Sequence, residues 1–411
     1  MGIIFSSFNG LEAKLPYIKF STCQWQQKNF SDLFTILGNN THSRAELTNC
    51  GTIKNIHYGD VLIKFGNILD TSQTEIPYLC ENCKYKNEYM QDGDVIIADT
   101  AEDYTAGKCT ELFNVGSSKI ISGLHTIPCR PKIKFAQKYL GYYTNSPAYR
   151  HQLLSLLQGI KVYSISKTNL SNTHVSYPTL PEQQKIADFL SLVDRRIEKQ
   201  RQLVESLKKY KRGLFLKLYN DSEKKSYKIC DLGKYCATGA LSKEDIDVSG
   251  KYPCILYGEL FTKYGEVIKQ VSSRTNIIPT YLSGTNEILF PSSTTADAQS
   301  LIFPSSLKIK NIFLGGDLFT IKLKNEFDSD FISYLVNFEY KNTLARYAQG
   351  ITIIHLHYTD IKEQVIDIPN IDTQFNISSV MRKIEAIIEM NISELNLLLL
   401  MKKGFLQQMF I

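Results

Sequence analysis

The chain has 411 residues, of which 43% are hydrophobic and 21% charged, as in folded proteins with two or more domains. No window approaches the roughly 20 apolar residues that a membrane-spanning helix needs, and a basic leader with a small-residue cleavage site is missing. We therefore expect a cytoplasmic protein without a membrane partner. The net charge of +6 permits a nucleic-acid partner without requiring one.

An N-terminal segment, residues 1–24, precedes a first predicted domain, residues 25–176. Short β-branched and aromatic runs such as residues 95–97 alternate there with clusters of Gly, Asn, Asp and Ser, and residues 136–143 predict a short helix. This pattern is typical of a mixed α/β domain with loop-rich sheets. Cationic and aromatic residues lie close together at a few places in this domain. The candidate DNA contacts there are Lys64, Arg150 and His151.

The nine cysteines, without a secretory leader, indicate reduced thiols. Cys80 and Cys83 are the only two with the spacing of metal ligands, and no second Cys-x-x-Cys pair follows. A structural zinc ion and a simple pair of buried or loop thiols both remain open for this pair. We predict no other metal site.

Residues 177–219 predict a long helix. Its apolar residues recur at alternating steps of four and three, which gives a heptad seam of about five repeats. The seam consists of Ile186, Leu190, Val193, Ile197, Val204, Leu207, Leu214 and Leu218, with Gln200 and Lys211 in its polar positions. Pro181, tolerated at the first helical position, is expected to open the helix. Eight basic residues lie between Arg195 and Arg212. They either form a face that binds phosphates or an acidic partner, or they are the ordinary solvated surface of the helix.

The second half of the chain repeats the first. Gln349-Gly350-Ile351 repeats Gln158-Gly159-Ile160, and the same offset of 191 positions holds from there to the C-terminus. Upstream, Tyr257-Gly258-Glu259 repeats Tyr58-Gly59-Asp60 at an offset of 199, so insertions of a few residues separate the blocks. The predicted plan is therefore domain, helix, domain, helix.

The second predicted domain, residues 220–367, has predicted strands at residues 288–290 and 318–321 and a helical stretch at 331–338. Its candidate DNA contacts are cations, aromatics and short hydroxyl donors: Lys263, Tyr264, Lys269, Arg274, Ser292, Ser293 and Thr294. His355 and His357 would share one face of a strand, but no third ligand lies nearby in the sequence, so we assign them no metal.

Residues 368–411 predict a second long helix, capped by Asp372 or Thr373. Its seam consists of Ile377, Met381, Ile384, Ile388, Leu395, Leu398, Phe405 and Met409, with Asn391 and Lys402 in the polar positions. If the two helices pair as an antiparallel coiled coil, Gln200 and Asn391 face each other at its centre and fix its register. The alternative is that both amides point outward. Antiparallel pairing also predicts a pseudo-twofold arrangement of the two domains.

Each predicted helix spans roughly 55 Å at ~1.5 Å per residue, which matches about 16 base pairs of duplex DNA at ~3.4 Å each. Two diverged domains on such a rod could read the two halves of a bipartite, asymmetric DNA site. No Gly-x-Gly-x-x-Gly motif, P-loop or Asn-Pro-Pro-aromatic tetrapeptide occurs, so we predict no catalytic residue. The rival interpretations are an autonomous nuclease or methyltransferase and a coiled-coil adaptor that binds protein.

The long segment 177–219 closely resembles the central conserved region of type I restriction-modification specificity subunits. Three shorter stretches, residues 253–267, 314–324 and 348–363, resemble the target-recognition domains of that family. The resemblance covers nearly the whole chain in the family's own order. Two parts depart from it: the first domain is less family-like than the second, and the second helix starts with Asp372-Thr373-Gln374-Phe375 instead of Pro181-Glu182-Gln183-Gln184.

The resemblance implies an α+β fold of two mixed α/β target-recognition domains, joined and followed by long helices. Each domain would read half of a bipartite double-stranded DNA site. The helices would set the gap and dock two modification subunits, which bind S-adenosylmethionine and methylate adenine. Separate restriction subunits would use ATP and Mg²⁺ to translocate and cut DNA. The resemblance places none of this chemistry, and no cofactor, on the present chain.

Overall fold

A computed structural model describes residues 25–86 and 88–410, so the predicted N-terminal segment lies outside the described residues. The chain forms two compact units. Unit 1 comprises Met1–Arg201 with Ser393–Ile411, and unit 2 comprises Gln202–Ile392. Within the described ranges, none of the helices combines the length and the hydrophobicity required to cross a bilayer.

Unit 1 is a mixed α/β domain with a five-stranded and a four-stranded sheet. Its strands are β1 Gln26–Asn29, β2 Phe34–Ile36, β3 Leu47–Thr48, β4 Ile53–Ile56, β5 Ile68–Asp70, β6 Tyr78–Leu79, β7 Val95–Ala98, β8 Thr100–Ala101, β9 Cys109–Phe113, β10 Lys119–Ser122, β11 Thr126–Pro131, β12 Tyr163–Ser164 and β13 His174–Tyr177. Its short helices are α1 Phe30–Leu33, α2 Tyr58–Ile63, α3 Tyr139–Tyr143, α4 Pro147–Leu154 and α5 Lys167–Ser171, with a 3₁₀ turn at Arg44–Glu46. A long helix, α6 Leu180–Asn220, begins in unit 1.

Unit 2 repeats this series of elements. Its strands are β14 Lys225–Lys228, β15 Gly233–Ala237, β16 Tyr252–Leu256, β17 Val267–Ile268, β18 Arg274–Thr275, β19 Glu287–Pro291, β20 Ser293–Thr294, β21 Ser305–Leu307, β22 Phe313–Gly315, β23 Leu318–Leu323, β24 Ile354–His355 and β25 Val365–Ile368. Its short helices are α7 Tyr257–Thr262, α8 Ala298–Leu301, α9 Ser329–Leu335, α10 Lys341–Ala345 and α11 Tyr358–Ile361, with a π-helical turn at Val336–Tyr340 and 3₁₀ turns at Ile229–Asp231 and Lys243–Asp245. The second long helix, α12 Ile371–Met409, follows.

The two five-stranded sheets have the same topology. Their strand orders are β2-β11-β7-β9-β5 in unit 1 and β15-β23-β19-β21-β17 in unit 2. In both sheets every pair is antiparallel except the last, β5 with β9 and β17 with β21. The parallel pair of β4 with β10 likewise has a counterpart in β16 with β22. The sequence repeat is therefore a repeat of the fold.

The central strand of each five-stranded sheet is buried on both faces. In β7, Val95 and Ile97 pack into one apolar cluster, whereas Ile96 and Ala98 pack into another. This division follows the period of two that a strand imposes on its side chains. Strand β19 divides in the same way, with Ile288 and Phe290 on one face and Leu289 on the other. The predicted strands at 95–97, 288–290 and 318–321 are thus confirmed.

Several predicted details differ in the structure. Helix α3 begins at Tyr139 and not at residue 136, because Lys138 has a left-handed backbone (φ 72°). The cap of α12 is Asn370, whose side chain accepts a hydrogen bond from the Thr373 amide, so the prediction of Asp372 or Thr373 is wrong. An asparagine directly before the first helical residue competes better for this role than a residue inside the helix.

Cys80 and Cys83 are joined as a disulfide, which differs from the prediction of reduced thiols. Their Cα atoms lie 5.4 Å apart across a tight turn, a separation that brings two sulfur atoms together. The other described cysteines are free, as predicted.

The long helices run antiparallel to each other within each unit, as predicted. In unit 1, the N-terminal part of α6 packs against the C-terminal part of α12, and the rings of Phe189 and Phe405 meet at 5.0 Å. In unit 2, Phe215 from the end of α6 shares a core with Ile377 and Met381 from the start of α12.

A triad of lysine, acid and tyrosine, here called the helix-junction triad, joins both helices to the sheet domain in each unit. In unit 1, Lys402 of α12 pairs with Asp194 of α6 at 2.6 Å, and the Tyr142 hydroxyl donates to Asp194 at 2.8 Å. In unit 2 the charges exchange helices. Lys211 of α6 lies 3.6 Å from Glu385 of α12, and the Tyr334 hydroxyl donates to Glu385 at 2.9 Å.

A second repeated device fixes the start of each long helix. The buried Gln183 side chain accepts a hydrogen bond from the Ala136 amide and donates to the Pro178 carbonyl. Gln374, its counterpart 191 positions later, accepts from the Asp328 amide and donates to the Pro369 carbonyl. Both glutamines satisfy backbone groups that burial would otherwise leave without partners.

We predict that Lys211→Met lowers the free energy of unfolding by about 3–5 kcal/mol, because it leaves the buried carboxylate Glu385 and the half-buried Glu266 uncompensated. Lys402→Met should cost less, since its partner Asp194 is 34% exposed. Urea denaturation of the full chain measures both, with Lys209→Met on the exposed side of α6 as the control. Equal effects at positions 209 and 211 would contradict the assigned role of the triad.

Candidate nucleic-acid interface

A polar hollow of about 840 Å³ lies beside helix α2 in unit 1. It is lined by the cations Arg44, Lys54 and Lys64, by Asp60, and by polar side chains that include Asn49, Thr71, Ser72, Gln73 and Thr74. Arg44 pairs with Asp60 at 2.9 Å, and the Lys64 ammonium donates to the Glu75 carbonyl at 2.5 Å. The Arg44 and Lys64 side chains are exposed and present positive charge at a concave surface. Such a surface suits phosphate groups.

Unit 2 carries a corresponding hollow of about 580 Å³ beside helix α7. Lys243 and Lys263 provide its cations, and Lys263 pairs with Glu259 at 2.6 Å and donates to the Ser273 hydroxyl at 2.9 Å. Pairing with Glu259 raises the pKa of the Lys263 ammonium, so it keeps its charge. Apolar residues form more of this lining than in unit 1: Leu241, Ile246, Leu256 and Tyr257.

Sequence reasoning missed Arg44 and Lys243. Each follows a serine and begins a 3₁₀ turn with a capping box, in which a carboxylate three residues after the serine accepts from the serine amide. The two turns stand 199 positions apart, the same offset as the Tyr-Gly-Asp/Glu motifs. This shared Ser-cation-x-acid pattern could have indicated Arg44 and Lys243 in the sequence. A match of four residues is too short to be recognised without the structure.

The structure brings Lys263, Tyr264 and Lys269 together at a further hollow of about 590 Å³ in unit 2. Lys269 pairs with Glu389 of helix α12 at 2.7 Å, which places its ammonium group beside that helix. Tyr264 is half-buried against the core, and burial raises the pKa of its hydroxyl. These three predicted residues therefore share one surface.

The remaining candidates of unit 2 occupy other places. The guanidinium of Arg274 donates to the carbonyls of Gly250 and Lys251, a structural use of its hydrogen bonds. Ser292 and Ser293 are buried, and strand β20 pairs with strand β24 so that Ser293 lies opposite His355. Thr294 is half-buried and its hydroxyl accepts from the Ala296 amide.

In unit 1, Arg150 and His151 lie on helix α4, away from the residues that line the unit 1 hollow. The Arg150 guanidinium donates to the carbonyls of Tyr104 and Ala106, and burial lowers its pKa. It therefore holds the loop before β9. His151 is exposed.

A cationic groove of about 690 Å³ runs in unit 1 where the sheet domain meets the long helices. Its cations come from the sheet domain and from both helices: Lys64, Lys108, Lys138, Arg195, Arg201 and Lys402. Four carboxylates also line it: Asp70, Asp188, Asp194 and Glu198. The predicted basic face of α6 thus lies partly in a groove shared with the domain.

The predicted register residues have different surroundings. Gln200 in unit 1 is buried, whereas Asn391 in unit 2 is half-buried and its side-chain amide donates to the Ile387 carbonyl one turn back. That the two amides face each other stays a prediction.

Each unit also has a hydrogen-bonded loop that exposes an isoleucine. Loop 158–164 is closed by two backbone hydrogen bonds between Gln158 and Ser164, and loop 349–355 by two between Gln349 and His355. Gly159 and Gly350 have φ values of 117° and 128°, a region that favours glycine. Ile160 and Ile351 are 93% and 99% exposed. The sequence repeat includes both isoleucines, but the sequence alone does not show that an apolar residue is exposed.

The comparisons with known proteins agree with these two similar units. A model of the type I restriction modification DNA specificity domain matches residues 23–209 and again residues 221–399. The chain belongs to the type I restriction-modification DNA specificity family. Specificity subunits are the DNA-recognition components of these systems and are not catalytic themselves, as the sequence predicted.

Three proteins similar to the chain share 13–22% of its sequence. A putative type I restriction enzyme specificity subunit (MjaX) of Methanocaldococcus jannaschii is 22% identical over 399 residues, which are 90% of this chain and 89% of that protein. The crystal structure of the S subunit of a type I restriction-modification system from M. genitalium is 13% identical, covers 96% of this chain and 98% of its own, and has a TM-score of 0.53. A chain from a study of complex assembly in a type I system, also 13% identical, covers 96% and 99% with a TM-score of 0.58. These similarities show the fold.

We predict that Gly159→Ala lowers the free energy of unfolding by about 1–3 kcal/mol, because a Cβ there overlaps the Val162 carbonyl oxygen at a positive φ. Hydrogen exchange in loop 158–164 should accelerate. The control is Gly66→Ala, where a Cβ would meet no atom of the described residues within 4 Å. If exchange in the loop is the same in both variants, the loop is not held by its glycine.

Proposed function

We propose that this specificity subunit reads a bipartite, asymmetric double-stranded DNA site, with unit 1 on one half and unit 2 on the other. The supporting observation is the pair of matched hollows, each placed by the same turn and the same short helix. In each, cations that approach phosphates lie beside an acid that orients them. Because the turn and the short helix are repeated in both units, the chain has two equivalent surfaces, one for each half-site.

The two hollows favour different sequences because their linings differ. Unit 1 offers amide and hydroxyl groups from Asn49 and the stretch 72–74, which suit hydrogen bonds to base edges. Unit 2 offers apolar contacts from Ile246, Leu256 and Tyr257, which suit the methyl group of thymine. The exposed Ile160 and Ile351 add an apolar contact of the same kind in each unit. Hence the two half-sites are expected to be unrelated in sequence.

The long helices set the gap between the half-sites and bind two modification subunits. Helix α12 carries exposed apolar side chains that a partner would cover: Ile387, Met390, Leu397 and Leu400. The bound modification subunits supply S-adenosylmethionine and methylate adenine, and restriction subunits supply ATP hydrolysis with Mg²⁺. This chain contributes recognition alone.

Single-molecule methylome sequencing of cells that express the chain with its modification subunits tests this proposal. We expect one bipartite N6-methyladenine motif with a fixed gap. Arg44→Ala combined with Lys64→Ala should reduce methylation through the half-site of unit 1, and Lys243→Ala combined with Lys263→Ala through that of unit 2. The exposed Lys209→Ala serves as the control for a lost charge.

In vitro, each double variant should also reduce the slope of log affinity against log salt by about 1–2, since each phosphate contact contributes about 0.9. Duplex binding that is insensitive to salt and unchanged in both double variants would favour the adaptor interpretation. Methylation or cleavage by the chain alone would favour an autonomous enzyme.

A further inference from the structure

We propose that His42, Glu46, Cys80 and Cys83 form a Zn²⁺ site in unit 1 when the two cysteines are reduced. One ligand atom from each of His42, Glu46 and Cys83 lies within 4.8 Å of the others, and Cys80 is the sulfur partner of Cys83. Two thiolates, one imidazole and one carboxylate match the ligand types that Zn²⁺ prefers. This inference does not depend on the DNA-reading proposal.

Glu46 divides its two oxygen atoms between two tasks. Its Oε2 closes the capping box, accepting from the Ser43 amide at 2.8 Å and from the Ser43 hydroxyl at 3.1 Å. Its Oε1 faces the cluster, 2.8 Å from His42 Nδ1 and 4.0 Å from Cys83 Sγ. The capping box therefore holds the carboxylate with one oxygen directed toward the proposed ion.

His42 has the orientation of a metal ligand. Its Nε2 lies 3.1 Å from the Lys84 carbonyl oxygen and donates to it, and its Nδ1 faces Glu46. A zinc-bound histidine commonly donates its second ring N–H to a backbone carbonyl, which fixes the tautomer and the ring plane. The Lys84 carbonyl belongs to the residue directly after Cys83, so the cysteine turn itself orients the imidazole.

The cysteine turn is anchored to the same place. The Cys80 amide donates to the Glu46 carbonyl, and the Cys83 amide donates to the Cys80 carbonyl at 3.1 Å. In a tetrahedral zinc site the ligand atoms lie about 3.3–3.8 Å apart. The observed separations of 2.8 and 4.0 Å would thus each change by about half an ångström.

Comparison with unit 2 indicates that the fold itself does not require these ligands. Unit 2 keeps the serine and the acid of the capping box as Ser242 and Asp245. At the same offset of 199, it has Leu241 in place of His42, and that leucine packs against Phe313 and Cys254. The cysteines have no counterparts either: the strand pairings change the offset to 196 in this segment, so the corresponding positions are Asn276 and Pro279. The fold is therefore built without the imidazole or the thiols in unit 2.

Zinc would connect the segment after strand β6 to the turn that carries Arg44. A phosphine reduces the disulfide to two thiols and is itself oxidised to the phosphine oxide, with water supplying the oxygen and the two protons. Both thiols, and the His42 Nδ1 that is hydrogen-bonded to Glu46, lose their protons to the buffer when they bind Zn²⁺. The site would accept one ion per chain, in unit 1 alone.

The test is metal analysis of the full chain purified in the presence of a phosphine reductant, incubated with Zn²⁺ and freed of unbound ion. We expect about one zinc per chain. Substitution by Co²⁺ should give the thiolate-to-cobalt charge-transfer absorption of a tetrahedral site. His42→Ala and Cys80→Ser should lose both signals, whereas His125→Ala and Cys50→Ser, an exposed histidine and an exposed cysteine of the same unit, should retain them.

Less than about one-tenth of a zinc ion per chain under these conditions would overturn the inference. A cobalt spectrum without thiolate charge transfer would do so as well. Loss of metal in Cys50→Ser equal to that in Cys80→Ser would refute the assigned ligand set. Far-ultraviolet circular dichroism of each variant identifies a failure to fold, and a folded His42→Ala variant without zinc supports the assignment.

Discussion

The helix-junction triad is the interaction on which the arrangement of each unit depends. A lysine from one long helix, an acid from the other and a tyrosine from the sheet domain meet at one point, so three segments distant in sequence are fixed together. In unit 2 both charges are more than 85% buried, and burial raises the pKa of Glu385 despite the nearby Lys211. Buried charges of this kind contribute less to stability than to a unique geometry, because any shift in helix register separates them.

The triad also explains how both copies of the repeat adopt the same pairing of the long helices. Lys211 and Glu385 of unit 2 are the counterparts of Lys402 and Asp194 of unit 1, displaced by 191 positions. Since each helix supplies a lysine to one unit and an acid to the other, both units adopt the same antiparallel register. The sheet domains attached to them then diverge freely in their linings, as the polar hollow of unit 1 and the more apolar hollow of unit 2 illustrate.

Local patterns in the sequence predicted the elements and the repeat, but not the contacts between distant segments. The heptad seam indicated the helices, and Val95–Ala98 was recognisable because a doubly buried strand is continuously apolar. Tyr142 and Tyr334 could not be assigned to the triad, since a tyrosine in an apolar helix has no local mark of its partner. Lys211 and Lys402 were recognised only as polar interruptions of the seam.

The same limit applies to the candidate interface. Lys64, Lys263 and Lys269 line hollows, whereas Arg150 and Arg274 lie outside these hollows and donate to backbone carbonyls of nearby loops. Both groups are cations near aromatic side chains in the sequence, and only their neighbours in space distinguish them. Arg44 was missed because its turn is defined by a short capping box. The exposure of Ile160 and Ile351 was not predicted, because it depends on the backbone turn at the glycine that precedes each of them.

Lengthening both long helices tests most directly whether they set the gap between the half-sites, as we propose. One heptad inserted into α6 after Gln202 and one into α12 after Ser393 preserves the apolar seam and adds about 10 Å, or about three base pairs. If the helices set the gap, the methylated motif keeps both half-sites and its gap lengthens by about three base pairs. An assembled, active complex whose gap is unchanged would contradict this proposal, as would a change in either half-site.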